Sequence, residues 1–225
     1  MKQSPISIYT GHFGSGKTEL SIREAVNWAK KQKTILVDLD IINTYFRSED
    51  ERRYLESHGV QVLAPRFASS QVDIPALTPE IDGAFARSDV HLVVDVGGDP
   101  EGARALRRYR NQIIGAGYTL YVVVNLMRPF TRSAGEIVDM TRQIEETSQL
   151  EAAVLINNTH LKEETTRQLI MQGQAETEKA AQMLGLRYPV PTCALRQWMP
   201  EEAKQPIILE PILKSPWEVE KTMED

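Results

Sequence analysis

The segment Gly11-His12-Phe13-Gly14-Ser15-Gly16-Lys17-Thr18 constrains this chain more than any other. It fits G-x-x-x-x-G-K-[ST] at every position, and its surroundings suit it. Ile6-Ser7-Ile8-Tyr9 before it reads as a strand, and the residues from Thr18 onward read as a helix. Gly11, Gly14 and Gly16 let the loop turn sharply and bring backbone N–H groups onto phosphate oxygens. The helix N-terminus behind Gly16 adds a favourable dipole for anions. Lys17 is placed to reach the β- and γ-phosphates, and the Thr18 hydroxyl to reach Mg²⁺, with Glu19 next in line. Gly11, His12, Phe13, Gly14, Ser15, Gly16, Lys17, Thr18 and Glu19 are therefore the candidate phosphate-binding set. The bland alternative is a glycine-rich turn that holds no ligand, and the agreement of motif with context argues against it.

Around this loop, short apolar runs alternate with longer helical stretches. Strands are expected at Ile6–Thr10, Thr34–Asp38, Val60–Leu63, His91–Val96, Thr119–Asn125, Ala153–Asn157 and Tyr188–Val190. Runs such as Tyr121-Val122-Val123-Val124 are almost continuously apolar, which suits strands buried on both faces of a parallel sheet. Helices are expected at Lys17–Lys31, Ser48–His58, Pro79–Arg87, Pro100–Ile114, Ala134–Leu150 and Glu163–Leu184. Gly59 and Gly185 stand where helices should stop. The β-α repetition predicts an α/β fold: a mostly parallel sheet with helices on both faces, in three layers. The length of 225 residues fits one such domain over 1–225. From about residue 196 a tail with Pro200, Pro206, Pro211 and Pro216 is expected to wrap it in short pieces.

A phosphate loop of this kind needs carboxylates near its metal and its attacking water. Two strand ends offer them. Ile35-Leu36-Val37-Asp38-Leu39-Asp40 ends in two aspartates that point the same way on an extended chain. Leu92-Val93-Val94-Asp95-Val96-Gly97-Gly98-Asp99 ends a second apolar run in an acid, a diglycine and another acid. Both ends should lie at the carboxyl edge of the sheet, where ligands bind in open α/β folds. The competing reading is that these aspartates cap turns and helices, which for Asp99 before Pro100 weighs as much as function does.

At these three motifs the chain resembles the CobQ/CobB/MinD/ParA nucleotide-binding family of P-loop ATPases, over roughly residues 5–195. The resemblance implies the P-loop NTPase fold with ATP and Mg²⁺ as cofactors. It implies hydrolysis coupled to a conformational switch, a protein partner of unknown identity and a homodimer. By resemblance, Lys17 and Asp40 are the catalytic residues, with Asp40 orienting the water. Thr18, Asp38 and Asp95 serve the Mg²⁺ shell. One departure stands out. One branch of the family carries a second lysine just after the first glycine of the loop, reaching across the dimer to the other nucleotide. Here that position is His12, and a neutral imidazole supplies no permanent cation. A nucleotide-sensing module with little hydrolysis, or a small-molecule kinase, are the alternatives.

The strand ending Leu155-Ile156-Asn157-Asn158-Thr159-His160 bears on the base. A guanine-reading N-K-x-D loop needs an aspartate at its fourth position. Counting from Asn157 that position is His160, and from Asn158 it is Leu161. An asparagine amide pairs with the N6/N7 edge of adenine. By resemblance the asparagine here contacts the base, so ATP is preferred, with Asn157 and Asn158 both as candidates. The segment Pro189–Ala194 is expected, again by resemblance, to wall the base pocket.

Two loops at the same edge have no assigned role: Asn43–Ser48, with Tyr45, Phe46 and Arg47, and Asn125–Arg132, with Asn125 and Arg128. Arg104, Arg107 and Arg108 share a helix face with Arg110 nearby, which reads as a solvated face in a chain of net charge −5. That charge argues against nucleic acid as a partner. Membrane association is not expected either, since no apolar run approaches the ~20 residues of a span. The single cysteine, Cys193, and the lack of an apolar signal region point to the cytoplasm.

Overall fold

The computed structural model describes residues 4–39, 49–64, 78–98, 100–187 and 189–210, and the backbone alone at 49, 50, 100 and 101. Asp40, Asp99, the 43–48 loop and the tail beyond residue 210 lie outside the described residues.

Among the described residues eight strands form one sheet. They are β1 (Ile6–Thr10), β2 (Thr34–Leu39), β3 (Val60–Leu63), β4 (His91–Val96), β5 (Tyr118–Val124), β6 (Val154–Asn157), β7 (Thr192–Leu195) and β8 (Pro206–Leu209). Their order across the sheet is β3-β2-β4-β1-β5-β6-β7-β8, and every pairing is parallel. The helices are α1 (Lys17–Ala29), α2 (Glu49–Ser57), α3 (Pro79–Phe85), α4 (Pro100–Arg108), α5 (Arg110–Ala116), α6 (Ala134–Ser148) and α7 (Arg167–Met183).

Alternating strand residues divide the core in two. Ile8, Val37, Val94, Val122 and Leu155 pack with Leu106, Ile113, Ile137 and Ala180 on one face. Leu36, Val93, Val123 and Ile156 pack with Leu20, Ala25, Val26 and Leu55 on the other. Helices therefore cover both faces, and the three-layer arrangement expected from the β-α alternation is the one observed. The central β1 lies between β4 and β5, so the chain leaves the sheet in opposite directions on either side of it. Such a switch point opens a crevice at the carboxyl ends of the strands.

Two local expectations need correction. Of the strand expected at Tyr188–Val190, Tyr188 lies outside the described residues and Pro189 and Val190 are not in a strand; the strand lies at Thr192–Leu195. Pro189 and Pro191 have no N–H for a ladder, so regular pairing starts past the second proline, and the Pro191 carbonyl accepts the N–H of Asn157 at 2.9 Å. The single helix expected at Pro100–Ile114 is two. Tyr109 breaks it with φ −99° and ψ 8°, stacks on Phe85 at 4.0 Å and donates its hydroxyl to Asp82 at 2.6 Å. Burying that ring and satisfying its hydroxyl outweigh continuing the helix. The arginine face is also partly committed: Arg108 pairs with Asp82 at 3.0 Å, and Arg110 donates to the Gln149 carbonyl at 3.1 Å.

Candidate functional site

The loop between β1 and α1 turns through three left-handed glycines, Gly11 (φ 146°), Gly14 (φ 74°) and Gly16 (φ 86°). A backbone bond from Ser15 N–H to the His12 carbonyl at 3.0 Å closes it. At Gly11 a Cβ would strike the Val123 carbonyl of β5, and at Gly16 it would strike the Asn158 amide. The loop is thus pressed against two neighbouring strand ends and has no room for side chains there.

Strand β4 closes the other side. A Cβ on Gly98 would fall on the Gly11 carbonyl, main chain against main chain. The missing Cβ at Gly98 is what lets the chain leaving β4 pass directly over the loop. Gly102 in α4 repeats the device, because its Cβ would meet the backbone of Gly97 at 2.6–2.8 Å.

Within this frame Lys17 is 4% exposed, at the first position of α1. The Ser15 hydroxyl is buried with no hydrogen-bond partner among the described residues. The first-turn N–H groups of α1 point out of its N-terminus without intrahelical acceptors. A cradle of backbone donors closed by glycines fits an anion such as a phosphate chain.

The acids fall into place beside it. Asp38 and Asp95 are register partners on adjacent parallel strands, so their side chains share a face of the sheet. Both are buried, at 4% and 1%. With Thr18 they line a cavity of about 110 Å³, whose other walls are Ile22, Leu36, Leu55 and Val62, with Glu51 and Arg52. The donor set of one hydroxyl and two carboxylates is all oxygen, as Mg²⁺ prefers. Among the described residues no cluster of three or more His, Cys, Asp or Glu side chains makes a metal site by itself. A cation here would therefore need ligands from its phosphate and from water, which is the usual habit of Mg²⁺.

The two asparagines left open by the sequence now separate. Asn157 has no exposed surface. Its amide donates to the Ile170 carbonyl at 3.0 Å and to Gln174 at 3.2 Å, and its oxygen accepts Thr159 N–H at 3.1 Å. That residue holds α7 against the sheet. Asn158 is 3% exposed and donates to the Ser15 carbonyl at 2.7 Å. It grips the loop from below.

Asn125, just past β5, ties three loops together. Its amide reaches the Gly14 and His160 carbonyls at 3.5 and 3.3 Å, and its oxygen accepts from Met127 and His160 N–H at 3.0 and 3.3 Å. Arg128 then lays its guanidinium on the loop, with Nε donating to Gly14 O at 3.1 Å. Burial foremost, then the charges of Arg128 and Lys162, hold His160 below the ordinary histidine range. Cys193 is buried, and burial pushes its thiol well up, so it packs as an apolar residue. The clamp by Thr159, whose hydroxyl accepts Leu126 N–H at 3.1 Å, carried no signal in the sequence.

No protein-family model matches the chain, and no curated protein sequence does. Solved structures do. FtsY from Mycoplasma mycoides is similar at 14% identity with a TM-score of 0.50, over 84% of this chain and 59% of that one. The cell division protein FtsY from Thermotoga maritima is similar at 17% identity with a TM-score of 0.51, over 85% and 62%. The likeness is one of fold, a parallel α/β sheet with helices on both faces. This chain spans about three fifths of the length of each of those two proteins. Among the described residues no helix is long and apolar enough to cross a membrane.

Proposed function

We propose that this chain is an ATP-binding protein of the MinD/ParA type, a Mg²⁺-dependent ATPase that works as a conformational switch on a protein partner. The observation that carries the reading is the convergence of Thr18, Asp38 and Asp95 on one cavity beside the glycine-closed loop. The nucleotide's phosphates lie along the loop amides, and Lys17 neutralises their charge. Thr18, Asp38 and Asp95 would hold Mg²⁺, which when bound screens the phosphate oxygens during in-line attack. Asp40, two residues beyond Asp38, orients the attacking water by resemblance. Gly97-Gly98 couples the state of the loop to α4 through backbone contact alone, a place where ligand-dependent movement can start. Adenine is preferred because no aspartate follows Asn157 or Asn158 at the guanine-reading position.

Phosphate release from Mg²⁺-ATP by the purified chain is expected, with none from Lys17→Ala. Binding of ATP without any release would replace the ATPase with a nucleotide-sensing module, as the histidine at position 12 favours.

One observation favours a second reading. The walls of the cavity from Ile22, Leu36, Leu55 and Val62 are apolar, which water as the acceptor does not require. A small molecule with an apolar body would fit there as phosphoryl acceptor. Acceptor-dependent ADP formation from a metabolite panel would support it, and ADP formation indifferent to every acceptor would count against it.

A further inference from the structure

We propose that Arg128 supplies the phosphate loop with a cation in cis, its two amino groups contacting the polyphosphate of the bound nucleotide. This rests on the nucleotide-binding reading above and adds a residue to it that the loop motif does not contain.

Four observations lead there. The first is that Arg128 stands on a fixed turn. Its own N–H donates to the Asn125 carbonyl at 3.0 Å, and the Thr131 hydroxyl donates to the carbonyls of Asn125 and Arg128 at 2.7 and 3.1 Å. The side chain therefore leaves a pinned backbone rather than a loose loop.

The second is that the guanidinium is seated on the loop. Nε–H donates to Gly14 O at 3.1 Å. A Cβ on Gly14 would meet Arg128 Nε at 2.8 Å, Cζ at 2.9 Å and Nη2 at 3.1 Å. Gly14 takes a φ of 74°, and its lack of a Cβ leaves room for the arginine where it lies.

The third is that the charge is not neutralised. The Nη1 and Nη2 groups make no hydrogen bond and Arg128 makes no ion pair among the described residues. Arg87 and Arg108, by contrast, are each paired with an aspartate. A half-buried guanidinium is costly to leave without a counter-charge, and acids outnumber bases 31 to 26 in the chain. A cation kept clear of carboxylates at the edge of an anion cradle has an anionic ligand as its natural counter-charge.

The fourth is His12. The position next to the first glycine carries no permanent charge, so the loop's own cation is Lys17 alone. Arginine offers planar, two-pronged donation to phosphate oxygens that a histidine or a second lysine does not reproduce.

The test compares wild type, Arg128→Lys, Arg128→Ala and Arg128→Gln by equilibrium binding of Mg²⁺-ATP and Mg²⁺-ADP at two ionic strengths, with thermal unfolding of each free protein. Loss of a charge-assisted contact predicts about 10- to 100-fold weaker binding of both nucleotides by Arg128→Ala and Arg128→Gln. Arg128→Lys should fall between wild type and Arg128→Ala, because it keeps the charge but loses the two-pronged donation. Binding to wild type should weaken more with salt than binding to Arg128→Gln. The unfolding temperature of the free Arg128→Gln should fall only slightly, by the loss of the Nε–Gly14 carbonyl bond, while nucleotide binding falls far more. Wild-type affinity in Arg128→Gln overturns the assignment. So does an Arg128→Lys as weak as Arg128→Ala, which would make the arginine a support for Gly14 only. A wild-type protein that binds no nucleoside triphosphate overturns the nucleotide reading itself, and this assignment with it.

Discussion

The side-chain amide of Asn158 donates to the Ser15 carbonyl at 2.7 Å, joining the end of β6 to the phosphate loop across 143 positions of sequence. Removing it leaves a buried loop carbonyl without its donor, at a cost of about 1–3 kcal/mol. Asn158→Ala should lower stability to chemical denaturation by that amount and weaken nucleotide binding by more than tenfold, because the loop would no longer be held in its turn. Asn158→Asp should be worse, since it sets a carboxylate against the same carbonyl. A nucleotide titration of Asn158→Ala indistinguishable from wild type would show that the loop keeps its shape without this clamp.

Gly98→Ala tests the contact on the other side. The new methyl would meet the Gly11 carbonyl, and no rotamer relieves a clash between two main chains. Overpacking of this kind costs about 1–3 kcal/mol, and here the strain falls on the loop itself. Nucleotide binding should drop sharply. Gly115→Ala is the matched control: it lies in α5, is exposed, and has nothing within 4 Å of the added methyl. It should stabilise the protein by about 0.5–1 kcal/mol. If both variants bind nucleotide equally well, the close approach of β4 to the loop has no functional weight.

Much of this frame is legible in the sequence because strands buried on both faces leave apolar runs. Val93-Val94 and Val122-Val123-Val124 mark their strands unaided. The acids at Asp38 and Asp95 stand out because polarity interrupts such a run at its carboxyl end. What the sequence hides is contact across the chain. Nothing local to Asn157 and Asn158 tells that one amide faces α7 and the other the loop. That division follows from the alternation of β6 once its neighbours are known. The split at Tyr109 is hidden for the same reason, since the helix breaks to reach Asp82 and Phe85, both far upstream. The prolines at 189 and 191 did carry a warning against a strand there, because neither can donate to a ladder.

The register pairing of Asp38 with Asp95 gives a prediction about the metal. Asp95→Asn keeps the volume and removes one anionic oxygen from the pair. It should reduce Mg²⁺-dependent ATP turnover at least 100-fold and abolish the gain in ATP affinity that Mg²⁺ brings to wild type. Asp89→Asn, an exposed partner of Arg87 just before β4, should leave both unchanged. Full Mg²⁺ stimulation in Asp95→Asn would remove this carboxylate from the metal site.

His91 predicts how stability follows pH. Its ring is 1% exposed, stacks on Trp28 at 3.9 Å and shares a hydrogen bond with Ser7 Oγ at 3.1 Å. Its Nδ1 is buried without a partner among the described residues. Burial therefore lowers the histidine from its ordinary value to about 4. Below about pH 6.5 the unfolded chain takes up a proton here that the folded protein refuses until about pH 4. The unfolded state binds more protons across that window, so stability rises with pH through it and is lost on acidification. The slope from one such proton approaches ~1.4 kcal/mol per pH unit. Urea unfolding of wild type and His91→Phe at pH 7.5 and pH 5 isolates the effect, because the other histidines are common to both. Wild type should lose more stability than His91→Phe over that interval. Equal losses in the two proteins would mean that the ring finds a proton acceptor in the folded state, and that the gap between β4 and α1 is open enough to solvate it.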